Sequence, residues 1–211
     1  MNYFSAILIL ILISFISDKT FAYTPKEGNV SAILSPFFYK TKFSGSSSGA
    51  KSPDLAGTSL LAIGDINDYS SLELGIFYFN KIYFRERFGK YLAEKTQLIH
   101  ITMGYRYWLT PYLSTSLSFY SAYSLGNIEI THTDFIPSEQ PDTSAQDKTE
   151  YGFDAALQAE PWSHERLALV LDARYSRSVT SKEHEDADHY GVAIGIRYFI
   201  QEKKKTKAPR N

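Results

Sequence analysis

Three groups of residues in this 211-residue chain carry side chains that could do chemistry. The first is Glu183-His184-Glu185-Asp186-Ala187-Asp188-His189. Carboxylates and imidazoles together suit a divalent cation. The spacing matches neither a calcium loop nor a zinc helix, so a solvated acidic loop is expected and no metal is assigned. The second is Arg174-Tyr175-Ser176, with Glu183 and Glu185 downstream. A nucleophilic serine needs a neighbour that can take its proton, and arginine stays protonated; no catalytic residue is assigned. The third is Tyr83 to Tyr91, YFRERFGKY, where Arg85, Arg87 and Lys90 interleave with aromatics. Guanidinium forks match phosphate oxygens, so these three side chains are the expected contact for an anionic headgroup. The chain has no Cys, which removes disulfides, thiolate metal sites and cysteine nucleophiles. A net charge of −1 gives no pull toward nucleic acid, and no cofactor is expected.

The elements that hold these residues are strands. Sixteen Tyr and fourteen Phe favour them. The clearest is His189 to Ile200, HYGVAIGIRYFI. Side chains alternate faces along a strand. Tyr190, Val192, Ile194, Ile196, Tyr198 and Ile200 therefore form an apolar row with aromatics toward both ends. The opposite row is His189, Gly191, Ala193, Gly195, Arg197 and Phe199. A lipid-facing barrel strand needs this pattern. Seven earlier runs alternate in the same way: Val30–Tyr39, Thr58–Ile66, Ser70–Phe79, Gln97–Trp108, Leu113–Leu125, Tyr151–Ala159 and Arg166–Ser176. The second is the least regular, with Leu61 and Ile63 as its apolar anchors. The rows opposite the apolar faces carry Glu73, His100, Arg106, Asp154, Gln158, Asp172, Arg174 and Arg197.

Ahead of the strands, Ala6 to Ile16 is an unbroken apolar run, short of the roughly 20 residues that a spanning helix needs. Thr20-Phe21-Ala22 follows, with small residues placed for a cut after Ala22, as in a secretory signal peptide. The expected division is a signal peptide over 1–22, a short lead over 23–28, a barrel over 29–200 and a basic tail over 201–211.

The connections between runs alternate long and short. Outer-membrane barrels have long extracellular loops, short periplasmic turns and an even strand number. A sheet in a bilayer must close on itself, because no water is present to satisfy an open edge. Eight strands leave an interior that side chains fill. The expected fold is all-β: an eight-stranded antiparallel up-and-down transmembrane β-barrel with a packed polar core of paired charges, preceded by a cleaved signal peptide.

The leader, the eight runs, the loop pattern and the aromatics near the end of the closing strand resemble the OmpA/OmpX-like outer-membrane β-barrel superfamily over about residues 29–200. That resemblance implies a Gram-negative outer membrane and insertion by the barrel-assembly machinery. It also implies both mature termini in the periplasm and a structural or surface-interaction role for four extracellular loops, which would meet an external ligand. Lipopolysaccharide is then the anionic partner expected at Arg85, Arg87 and Lys90. Barrel-only members usually end at the terminal aromatic, whereas QEKKKTKAPRN follows Phe199-Ile200 here. Two other functions are compatible with a small barrel: a narrow channel for ions or small apolar solutes, and an enzyme acting on lipid A. Lipid A deacylases are small barrels with a His-x-Ser motif late in the chain. Arg174-Tyr175-Ser176 lacks that histidine, so the protein is expected not to be an enzyme.

Overall fold

The computed structural model describes residues 23–42, 51–137, 149–180, 185–186 and 188–200. The leader 1–22, the tail 201–211, and Glu183, His184 and Ala187 of the acidic loop lie outside the described residues.

Strand β1 spans Val30–Thr41, β2 Leu55–Asp65, β3 Ser70–Arg87, β4 Lys90–Thr110 and β5 Leu113–Ser124. The short β6 is Glu129–Thr133. Then come β7 (Glu150–His164), β8 (Leu167–Ser178), the two-residue β9 (Glu185–Asp186) and β10 (His189–Ile200). The eight long strands pair antiparallel in chain order, and β10 returns to β1, from Val30↔Ile200 to Thr41↔His189. The wall is closed, as a bilayer requires. The closing seam has one gap: Ser35 and Pro36 have no partner in β10, although both still pair with β2. Proline lacks the N–H that a ladder needs.

Alternation sorts the side chains. Outside, Leu34, Leu74, Met103, Leu117 and Ile194 make an exposed apolar band. Aromatics border it on both sides: Tyr78, Tyr123, Tyr175 and Tyr190 toward the end with the larger connections, and Tyr105, Tyr107, Trp162 and Tyr198 toward the end with the termini. An apolar band between aromatic girdles is the outer surface of a barrel that spans a bilayer. No helix among the described residues is long and apolar enough to cross a membrane.

At the terminus end the turns are short, between β2 and β3, β4 and β5, and β7 and β8. At the far end one connection differs from expectation. Tyr83–Tyr91 is not a loop. β3 and β4 continue together to a two-residue turn at Phe88-Gly89, both with positive φ (53° and 73°), the backbone that tight hairpin turns use. β6 pairs with the free edge of β4 here, and β9 pairs with β3 at Phe84 and Arg85. Lys81, Ile82, Tyr83 and Phe84 are all buried. Apolar-out alternation therefore stops at Phe79, although the strand does not.

Candidate functional site: the lumen and its two ends

Every charged residue expected to face inward does so, and all are buried. At mid-height Arg106 pairs with Glu73, donating from Nε to Glu73 Oε2 at 2.9 Å and from Nη1 to Ser114 Oγ at 2.7 Å. Its Nη2 also lies 3.4 Å from Asp172 Oδ2. Arg174 binds the same acids from the other side. Its Nη2 donates to Glu73 Oε1 at 2.7 Å, Nε to Asp172 Oδ1 at 3.3 Å, and Nη1 to Asp154 Oδ2 at 3.4 Å. His100 Nε2 lies 3.0 Å from Asp154 Oδ2. Three carboxylates thus share two guanidiniums and one imidazole.

A second cluster sits toward the far end. Lys81 Nζ donates to both oxygens of Glu150, at 2.6 and 2.8 Å, while Tyr120 and Tyr83 donate their hydroxyls to the same carboxylate at 2.6 and 3.1 Å. Sequence reading missed Lys81 and Glu150 because both lie just outside the runs assigned as strand. A third cluster sits toward the termini. Arg197 Nη2 is 2.7 Å from Glu160 Oε2, and Gln158 Nε2 donates to Glu160 Oε1 at 3.0 Å. Glu160 lies one residue past the alternating run Tyr151–Ala159. In the structure β7 continues past it, and a register shift follows between Ala159 and Trp162.

The polar core is only half of the lumen. Ile33, Phe37, Leu61, Ile63, Phe77 and Phe79, from β1 to β3, form an apolar cluster facing the ion pairs. Leu61 and Ile63 therefore do not anchor an outer face: they point inward, and Leu60 takes the lipid side. Arg174 joins the halves, its guanidinium 5.0 Å from the Phe77 ring centre, a cation–π distance.

The other candidate residues are dispersed. Asp188 accepts the Tyr175 hydroxyl at 2.7 Å and the Ser178 N–H at 3.0 Å. His189 is turned into the lumen, away from that loop. Ser176 is also buried inside, opposite His189 in register, and no hydrogen bond joins Ser176 Oγ to His189 Nδ1. The structure does bring Arg85, Arg87 and Lys90 together. Arg87 pairs with Lys90 and Arg85 with Leu92, so all three lie on one face of the hairpin. By alternation that face continues the lumen row of Lys81 and Tyr83, not the lipid-facing row.

The lead closes the terminus end. Lys26 to Asn29 is a tight turn, with Asn29 N–H donating to Lys26 O at 3.0 Å and Gly28 at φ +83°, a value that favours glycine in the third turn position. Asp65 clamps the turn, accepting from Lys26 N–H at 3.0 Å, from Ser71 Oγ at 2.7 Å and from the Tyr23 hydroxyl at 2.5 Å. Tyr23 thereby swings under the barrel, 4.8 Å from Trp108 and 6.1 Å from Phe199 between ring centres. The Arg197 guanidinium lies 3.6 Å from its ring centre. Burial, and then the bond to Asp65, push the Tyr23 phenol well up from its ordinary pKa.

No protein-family model matches the chain, and no curated protein matches it. Solved structures do. OprG of Pseudomonas aeruginosa, an outer-membrane protein, superposes with a TM-score of 0.57 at 11% identity, covering 85% of this chain and 99% of its own. Ail of Yersinia pestis, an attachment invasion locus protein solved with the heparin analogue sucrose octasulfate, superposes with a TM-score of 0.50 at 15% identity, covering 82% and 99%. With a closed wall, an apolar outer band and paired charges inside, the chain has the fold of the eight-stranded outer-membrane barrels of OmpA/OmpX-like architecture.

Proposed function

We propose that this chain is a bacterial outer-membrane barrel of the Gram-negative envelope, with a structural and surface-interaction role and no enzymatic activity. The observation that carries this reading is the apolar outer band around a closed wall whose lumen is filled by side chains. Such a surface is stable only against hydrocarbon, and the ion pairs behind it lock the barrel. Residues 1–22 are then a signal peptide removed after Ala22. Both mature termini lie in the periplasm, the barrel-assembly machinery inserts the chain, and four connections face outward. The β3–β4 hairpin carries Arg85, Arg87 and Lys90 on one face. Arg87 and Lys90 are like charges directly opposite each other, which repel, and an anion bound between them would relieve that repulsion. Lipopolysaccharide phosphates, or sulfates like those of the sucrose octasulfate bound to Ail, have the matching chemistry. Outer-membrane fractions are the test. Barrel migration on SDS gels should shift when the sample is heated. A protein that stays in the soluble fraction and shows no shift refutes the reading. Steady unitary currents in planar bilayers would favour a channel instead, and altered lipid A masses on overexpression would favour an enzyme.

A further inference from the structure

We infer that the terminus end of the lumen is a phenol-binding socket whose resident ligand is the chain's own Tyr23, so that the lead is a removable stopper. The socket is made by four side chains from three strands of the barrel. Asp65 of β2 takes the hydroxyl at 2.5 Å, and Arg197 of β10 covers the ring face at 3.6 Å. Trp108 of β4 and Phe199 of β10 flank the ring at 4.8 and 6.1 Å. Three of these residues are themselves fixed by the barrel. Trp108 Nε1 donates to Ser71 Oγ at 3.0 Å, Ser71 donates to Asp65, and Arg197 is paired with Glu160. The socket is therefore built by the barrel and does not depend on Tyr23 for its shape. The lead is held differently. Apart from the Tyr23 ring, the lead is held by the buried Pro25, by Lys26 N–H donating to the Asp65 carboxylate at 3.0 Å, and by the turn at Lys26–Asn29, with Gly28 N–H donating to Asp65 O at 3.1 Å and Asp65 N–H donating to Asn29 O at 2.9 Å. A cavity of about 280 Å³ beside Tyr23, lined by Lys26, Arg166, Arg197 and Phe199, gives the ring room to leave.

The inference rests on the barrel fold and not on its location or partners. Because the chain has no native Cys, one reporter thiol can be read cleanly. Ser31 suits this: it is fully buried at the lumen foot of β1, and its hydroxyl makes no hydrogen bond. The measurement is the rate at which a small polar maleimide labels S31C in the mature, refolded or membrane-recovered protein, with Tyr23 intact or replaced by Gly. The heat-modifiable gel shift confirms that each variant has folded. Tyr23→Gly should raise the rate at least tenfold. p-Cresol should return it toward the parent rate, as small molecules fill the cavities that match them. Toluene, which has no hydroxyl for Asp65, should not. Tyr23→Phe, which keeps the ring, should fall between the two and supplies the comparison if Tyr23→Gly does not fold. Equal labelling of all three with the gel shift intact would overturn the stopper and leave the barrel reading standing. Equal rescue by toluene would overturn the phenol assignment.

Discussion

Arg174→Met is the sharpest test of the charged lumen. Glu73, Asp154 and Asp172 are three buried carboxylates held by two guanidiniums, Arg106 and Arg174, with His100 on Asp154. Removing Arg174 leaves Arg106 on Glu73 and Asp172, and leaves Asp154 with His100 alone. Breaking a buried pair by deleting one partner costs about 3–5 kcal/mol, because the other charge is stranded. Glu73→Gln acts in the opposite sense. It removes an acid and not a base, and each guanidinium keeps a carboxylate partner, Arg106 on Asp172 and Arg174 on Asp154 and Asp172. Its cost should fall to about 1.5–3 kcal/mol, the loss of charge-assisted hydrogen bonds alone. The gap of about 2 kcal/mol is roughly thirtyfold in the unfolding equilibrium. Equilibrium urea unfolding in lipid vesicles, followed by the fluorescence of Trp108 and Trp162, measures both variants. Adding Asp154→Asn to Arg174→Met should restore part of the loss. If Arg174→Met costs no more than Glu73→Gln, the lumen is hydrated enough to screen its charges, and the argument from stranded charge fails.

Three further outcomes follow from the same geometry. Ile194→Arg, at the middle of the lipid-facing row of β10, should cost about 2–4 kcal/mol, whereas Tyr190→Arg near the girdle should cost about 0–1 kcal/mol; vesicle unfolding ranks the two, and equal costs would remove the bilayer from the interpretation. Gly152→Ala should lower the temperature of the gel-shift transition, because the added Cβ would sit 2.1 Å from Arg177 O and 2.4 Å from Tyr120 Cε1; overpacking of this kind costs about 1–3 kcal/mol. The Asp134 carboxyl is held below its ordinary pKa, first by the Tyr91 N–H and then by His132. Its bond to the edge of β4 is therefore present above the usual Asp range and lost as pH falls through the lowered value. The Tyr91 amide resonance should move with that transition and should stop moving in Asp134→Asn.

The membrane-crossing part of the fold was legible because lipid outside and side chains inside enforce a strict period of two. β10, from His189 to Ile200, was readable residue by residue for that reason. The same rule hid what lies beyond the bilayer. Lys81 to Phe84 are buried on both faces of the hairpin, so their sequence carries no alternation. In β2, apolar residues occupy both faces, Leu60 outside with Leu61 and Ile63 inside, and periodicity could not orient the strand. Arg106, Asp154 and Arg174 were found because a charge inside an alternating run is conspicuous. Glu150 is the first residue of β7, and Glu160 lies at the register shift where the alternation breaks, so each charge looks like ordinary loop. Tyr23 had no signal. The single glycine that turns the lead back, Gly28, was the available clue, and its partner Asp65 is 37 residues away along the chain.

The gap at Pro36 changes how the wall can be expected to shut. The β1–β10 seam is two separate ladders of five pairs, Val30–Leu34 and Phe37–Thr41, with no pairing between them. Such a seam fastens like two short clasps and not like one long zip. Either clasp can be undone while the other holds. The lower clasp sits directly above the Tyr23 socket, and its partner strand supplies both Arg197 and Phe199. Docking of the lead therefore reinforces one clasp and leaves the other to the strands alone. A barrel built in this way should breathe first at the upper half of its seam, on the side away from its termini.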